Sequence, residues 1–264
     1  GVSVLVDTIV PESSDTTNND SSVSSDLLDI PELYSSTSTI LNVNLNSLSK
    51  KEENTFYGYE SGRYLTTGDY NTLLGSQAGE NVTTGESNIF VGSEAGRGCT
   101  TGNYNIAIGK QTGDTITTGN SNVAIGGYFM GNATILASNN TAIGKSALLN
   151  NTTANANTAV GYNALNDNTT GTRNTALGTA ALDSCTTGSY NTSIGAYSLS
   201  AGVTGDSNIA IGDNAMYDLT SGSHNVSVGN NTLDEITDGE RNVAVGSGAM
   251  SATSTGVNYN NALG

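Results

Sequence analysis

Few residues in this chain have side chains able to do chemistry, and their spacing decides against most of it. There is one histidine, His224, and two cysteines, Cys99 and Cys185. A zinc centre needs four converging ligands, and one histidine with two distant cysteines cannot supply them. Both cysteines directly precede a Thr-Thr-Gly, a slot that elsewhere holds Leu65, Val82, Ile116, Leu219 and Ile236. The sequence therefore predicts two small inward hydrophobes, too far apart to bridge within one chain. Carboxylates recur at one turn slot, as Asp69, Glu86, Asp206 and Glu240. Stacked in a repeat they would be solvated, with no opposed pair for acid/base work. Gly144-Lys145-Ser146 lacks the preceding loop of a phosphate site, and Gly-Gly-x-Gly-x-Asp calcium repeats are absent. His224 occupies a turn position filled elsewhere by Tyr70, Ser87, Tyr104, Ser121 and Tyr190, and reads as an exposed variant. Tyr70, Tyr104, Tyr190 and Tyr259 could form a carbohydrate-contacting strip, although turn packing is the plainer reading. No catalytic residue, metal or cofactor is expected, and the chain does not read as an enzyme.

What positions these residues is a repeat. The phrase Asn105-Ile-Ala-Ile-Gly109 recurs with its asparagine at 54, 71, 88, 105, 122, 140, 157, 174, 191, 208, 225, 242 and 260. Neighbouring copies are 17 residues apart, except for 18 between Asn122 and Asn140 and between Asn242 and Asn260. Thirteen copies with one strand-like phrase each predict an all-β solenoid, a parallel β-roll or β-helix, over residues 51–264. At about 4.8 Å per rung the rod would be on the order of 60 Å long, with more rungs expected beyond residue 264. Stacked asparagines (Asn71, Asn88, Asn105, Asn122, Asn140, Asn157, Asn174, Asn191, Asn208, Asn225 and Asn242) predict a side-chain ladder. The glycine of each Thr-Thr-Gly is expected to supply positive φ at a turn.

Within each phrase, alternation places the second and fourth residues on one side of the strand and the third on the other. The second and fourth, such as Ile106 and Ile108, are apolar and are expected to face the interior. The third would then face outward as Ala107, Ala124, Ala142, Ala159, Ala176, Ser193, Ala210, Ser227 and Ala244. Uniformly small residues on an outer face predict another backbone lying close against it. Identical chains around a threefold axis are the economical arrangement; a tightly curved coil is the other. Phe56, Leu73 and Phe90 interrupt this strip and are expected to splay neighbouring chains or cover the end of the ladder. Six residues after each of these strand positions stands Gly in the first four copies (Gly62, Gly79, Gly96, Gly113) and Leu or Met from Met130 to Met250. A tighter interior is expected at the N-terminal end.

Residues 1–50 differ: Ser, Asp, Asn and Thr dominate and there is little to bury. They read as a docking or linker segment that orders against a partner, or as a disordered leader. The net charge of −16 argues against nucleic acid or an anionic membrane as partner. No apolar run is long enough for a transmembrane helix.

Asn-x-Ala-Ile-Gly followed by Ala-Gly or Ala-Leu resembles the head repeats of trimeric autotransporter adhesins of the Yersinia adhesin type. The fuller phrase, Thr-Thr-Gly-x-x-Asn-Thr-Ala-Ile-Gly, is similar to repeats of bacteriophage and other viral fibre proteins. The resemblance spans residues 54–264 and implies a homotrimeric rod used as a stiff spacer or attachment surface. Adhesin heads have shorter coils, and their stalk heptads and membrane barrel are missing here, which favours a virion fibre. The expectation is a tail or head fibre on a virion surface, docked to a virion protein through residues 1–50 and directed at a host receptor. A bacterial surface adhesin is the alternative. An ice-binding solenoid ranks lower, because adjacent Thr-Thr aims the two hydroxyls to opposite sides.

Overall fold

The computed structural model describes residues 53–127, 137–251 and 255–264. The docking segment assigned to residues 1–50 and the Met130 position lie outside them. Ser49–Gly264 forms a compact unit by itself. It is a parallel β-solenoid with thirteen three-residue strands, from Thr55–Tyr57 to Asn261–Leu263, in a single sheet whose order is the order of the chain. No helix occurs among the described residues. Register is fixed by the repeat: Ala107 pairs with Ala124 and Ala124 with Ala142, so identical positions stack. The longer 18-residue steps are absorbed outside the strands. Backbone bonds leave each strand in both directions. Ile106 N–H donates to the Asn122 carbonyl of the following rung (2.8 Å), and Gly109 N–H to the Val91 carbonyl of the preceding one (2.8 Å).

The strand faces the opposite way from the sequence expectation. Ala107, Ala124, Ala142, Ala159, Ala176, Ser193, Ala210, Ser227 and Ala244 are all 0% exposed within the single chain, whereas Ile108 and Ile211 are outside. The small residues have a backbone close by, but it is the chain's own coil. The narrow space inside a 17-residue turn is already occupied by two other columns, the corner residues such as Met216 and Leu233 and the residues before Thr-Thr-Gly such as Leu219 and Ile236. In most rungs the strand can add only a methyl or a hydroxyl. The inter-chain role expected of this strip is thereby excluded for these side chains.

The bulky exceptions obey the same rule. Leu73 and Phe90 are 0% and 1% exposed inside the coil, and Phe56 packs against them. Enclosed in this way, Leu73 and Phe90 cannot splay neighbouring chains. A Cβ on Gly96 would meet the Phe90 ring at 2.4 Å, and one on Gly79 would meet Leu73 at 2.8 Å. Further along, where the strand residue is Ala or Ser, the facing position is Leu148, Leu165, Leu182, Leu199, Met216 or Leu233, all buried. Volume is thus exchanged across the coil, large strand residue with Gly and small strand residue with Leu or Met, except where Ala107 faces Gly113 and the Ile116 side chain reaches into the gap. Close packing requires the sum to stay near constant. The N-terminal interior is filled from the other wall instead of being tighter. These Leu and Met residues adopt φ of about +50° (Leu148 53°, Met216 52°), a conformation usually left to Gly or Asn. Burial of an aliphatic side chain offsets that strain.

Glycine also plays a different part from the one expected at Thr-Thr-Gly. Gly68, Gly85, Gly102, Gly171 and Gly188 do not have positive φ; the residue two places later does, as at Tyr70, Ser87 and Tyr104 (φ 60°, 56° and 58°). The glycine is needed for close approach, since a Cβ on Gly171 would lie 2.2 Å from the Gly188 carbonyl oxygen of the adjacent rung.

Candidate functional surface and its supporting ladders

The asparagine that opens each strand is buried and saturated with hydrogen bonds. Asn105 Oδ1 accepts from the backbone N–H of Asn122 (3.0 Å) and from its Nδ2 (3.1 Å). Asn105 Nδ2 donates to the Gly119 carbonyl (2.8 Å) and to Asn88 Oδ1 (3.2 Å). The backbone N–H to Oδ1 link repeats between successive rungs from Asn71 to Asn242, whose side chains are 0–1% exposed. Asparagine suits this place because one planar amide offers an acceptor and two donors without charge. Aspartate would bury charge, and glutamine would overreach.

Two further columns satisfy the corners. In most rungs the first Thr of the pair donates its hydroxyl to the next rung's Thr carbonyl, as Thr83 to Thr100 (3.1 Å) and Thr169 to Thr186 (3.0 Å). The slot two residues before each strand's opening asparagine holds the recurring carboxylates, of which Glu86, Asp206 and Glu240 are exposed as expected. Where the slot holds Asn, Ser or Asp206, the side-chain oxygen accepts the backbone N–H of the preceding rung: Asn103 from Glu86 (2.7 Å), Asn155 from Ser138 (2.7 Å), Asp206 from Ser189 (2.7 Å). Sequence reasoning missed this second ladder by attending to the acids alone. The available signal was that the slot also takes Asn, Ser and Thr, whose shared property is a short side-chain acceptor.

The residues with chemical potential are dispersed. His224 is exposed at a corner. Cys99 and Cys185 are free and buried, and burial pushes both thiols up to about 12. Such thiols are protonated and shielded from reagents. Their slot also holds buried Asn151 and Asn168, which donate to Ala154 and Gly171 carbonyls (3.1 and 2.9 Å) but leave Oδ1 without a partner. Where the strand residue is Ser, a second hydroxyl follows five positions on: Ser193 Oγ donates to the Ser198 carbonyl (2.8 Å), and Ser227 Oγ to that of Thr232 (2.8 Å). Among the described residues no three His, Cys, Asp or Glu side chains are grouped to hold a metal.

Tyr70, Tyr104, Tyr190 and Tyr259 are exposed but separated by intervening rungs, so they do not make a continuous strip. Arg173 Nη1 instead donates to the Tyr190 hydroxyl (2.6 Å) with its guanidinium 5.3 Å from that ring, and Arg241 treats Tyr259 similarly. These pairs tie neighbouring rungs together. A shallow open depression is lined by Tyr197, Asn214, Tyr217, Asp218, Asn231, Asp234 and Glu235, whose carboxylates disfavour an anionic occupant.

The extended feature left on the surface is the outer face of the strands. It presents two columns, the first and third residue of every strand. The third is Tyr57, Leu263 or an aliphatic in every rung, with Ile108 38%, Leu177 47% and Val245 37% exposed. No protein-family model, curated protein or solved structure matches this chain.

Proposed function

We propose that this chain is a structural fibre: a stiff spacer and host-attachment element at a virion surface, assembled as a homotrimer. In this reading residues 1–50 dock to a virion protein and the far end meets a host receptor. The observation that supports it most is the unbroken ladder from Thr55 to Leu263, in which every rung repeats the same backbone and asparagine hydrogen bonds. Bending such a column would break bonds inside a buried stack, where each lost partner costs about 1–3 kcal/mol. A rod built this way transmits position and force. The sequence resemblance to viral fibre repeats supplies the context.

Antibodies against residues 54–264, applied to the producing culture in electron microscopy, test the reading. Decoration of thin fibres on particles is the expected outcome. Label on the cell envelope would replace it with the bacterial adhesin, and label on neither would remove both.

A further inference from the structure

We infer that copies of this chain meet through the outer strand face, and not through the alanine column. The thirteen strands place twenty-six residues on this face (two from each), and none is Asp, Glu, Lys or Arg, although the chain carries a net charge of −16. Charge has been kept to the corners, leaving an uncharged strip along the full ladder in which nineteen residues are aliphatic or Tyr and the other seven are six Thr and Asn261. Twelve rung spacings of about 4.8 Å make the strip about 58 Å long. At roughly 10 Å wide it offers on the order of 600 Å² per chain, or about 1,200 Å² for two surfaces, the lower end of specific interfaces. Its aliphatic part lies toward the upper end of what monomers leave in water.

The occupant that fits is a second copy. Side chains recurring at the rung spacing interdigitate only with a surface of the same period, and an identical ladder supplies that period along its whole length. Apposed strips also leave the acidic corners of both chains directed to solvent, whereas an unrelated acidic partner would have no matching uncharged stripe. In a threefold bundle, the first-residue column of one chain packs against the third-residue column of the next. All chains then run in one direction and their rungs align.

The inference rests on the bundled-rod reading, and the two fail separately. Light scattering on the full chain is compared for wild type, for Ile108→Glu/Leu177→Glu/Ile211→Glu, and for Thr101→Glu/Thr170→Glu/Thr187→Glu. The last places the same charge on exposed corners. The expected result is an assembly for wild type and the corner variant, and the 26.8 kDa monomer for the face variant with an unchanged β-sheet circular dichroism spectrum. Should the face variant fail to fold, Ile108→Ala/Leu177→Ala/Ile211→Ala serves in its place, with association weakened at least tenfold. A face-dependent assembly of two chains supports the inference while removing the homotrimer. A wild-type assembly indifferent to all face variants overturns the inference and leaves the fibre reading standing. A monomeric wild type, whatever else its strip bound, overturns the inference together with the homotrimer.

Discussion

Asparagine at the strand entrance does more than any other single residue to hold successive rungs together. Asn157 illustrates why. Its Oδ1 accepts the Asn174 N–H at 2.8 Å and its Nδ2 donates to the Gly171 carbonyl at 2.9 Å, both in the interior. Replacing it by alanine leaves the Asn174 N–H buried without an acceptor and removes one of the two donors to the Gly171 carbonyl, the other being Asn168 Nδ2. Asn157→Ala is therefore expected to cost about 2–4 kcal/mol. Asn155 makes an equally short bond, accepting from Ser138 N–H, but at the exposed surface. Water replaces it there, so Asn155→Ala should cost under about 1 kcal/mol. Chemical denaturation of the two variants measures the difference; equal losses would mean that burial is not what gives the ladder its strength.

Across one turn, the unit that matters is a pair of facing columns that share one space, with Ile116 filling it where Ala107 faces Gly113. Phe90 opposite Gly96 and Ala142 opposite Leu148 are two solutions of the same packing problem. Gly96→Leu alone drives a side chain into the Phe90 ring and should destabilise by about 3 kcal/mol or more. Phe90→Ala alone opens a cavity and should cost about 3–5 kcal/mol. Combined, the two changes recreate the arrangement of the later rungs, where Leu at φ near +50° is already accommodated. The double variant should lose clearly less than the sum of the single losses, measured by a double-mutant cycle on thermal unfolding. Additive losses would show that the two columns do not share one cavity.

For the whole ladder, electrostatics gives a pH dependence. Burial raises the carboxyl pKa of Asp114, Asp183 and Asp234 above the ordinary 3.8. The folded chain then holds these protons more tightly than the unfolded chain. Their contribution to stability is fully present below the unfolded value and is lost as pH rises through the raised folded values. Above the raised folded values the three carboxylates are charged in a setting that disfavours charge. Asp114→Asn/Asp183→Asn/Asp234→Asn should accordingly melt higher than wild type at pH 7, with the gap closing as the pH approaches 4. Thermal midpoints across that range check it, and a gap independent of pH would contradict it.

Period and type of structure were legible in the sequence because they follow from local pattern: one Asn-x-x-x-Gly phrase every 17 residues already implies stacked rungs with stacked asparagines. Which side of the strand faces inward was not legible. Alternation separates Ile106 and Ile108 from Ala107 but is silent about which set is enclosed. Apolarity favoured the isoleucines, whereas the coil's width decided for the alanine. That width depends on how far the corner six residues later reaches across the lumen, as with Leu148 opposite Ala142 or Gly96 opposite Phe90. Only closure of the turn in three dimensions sets this distance, and with it which apolar residues remain outside.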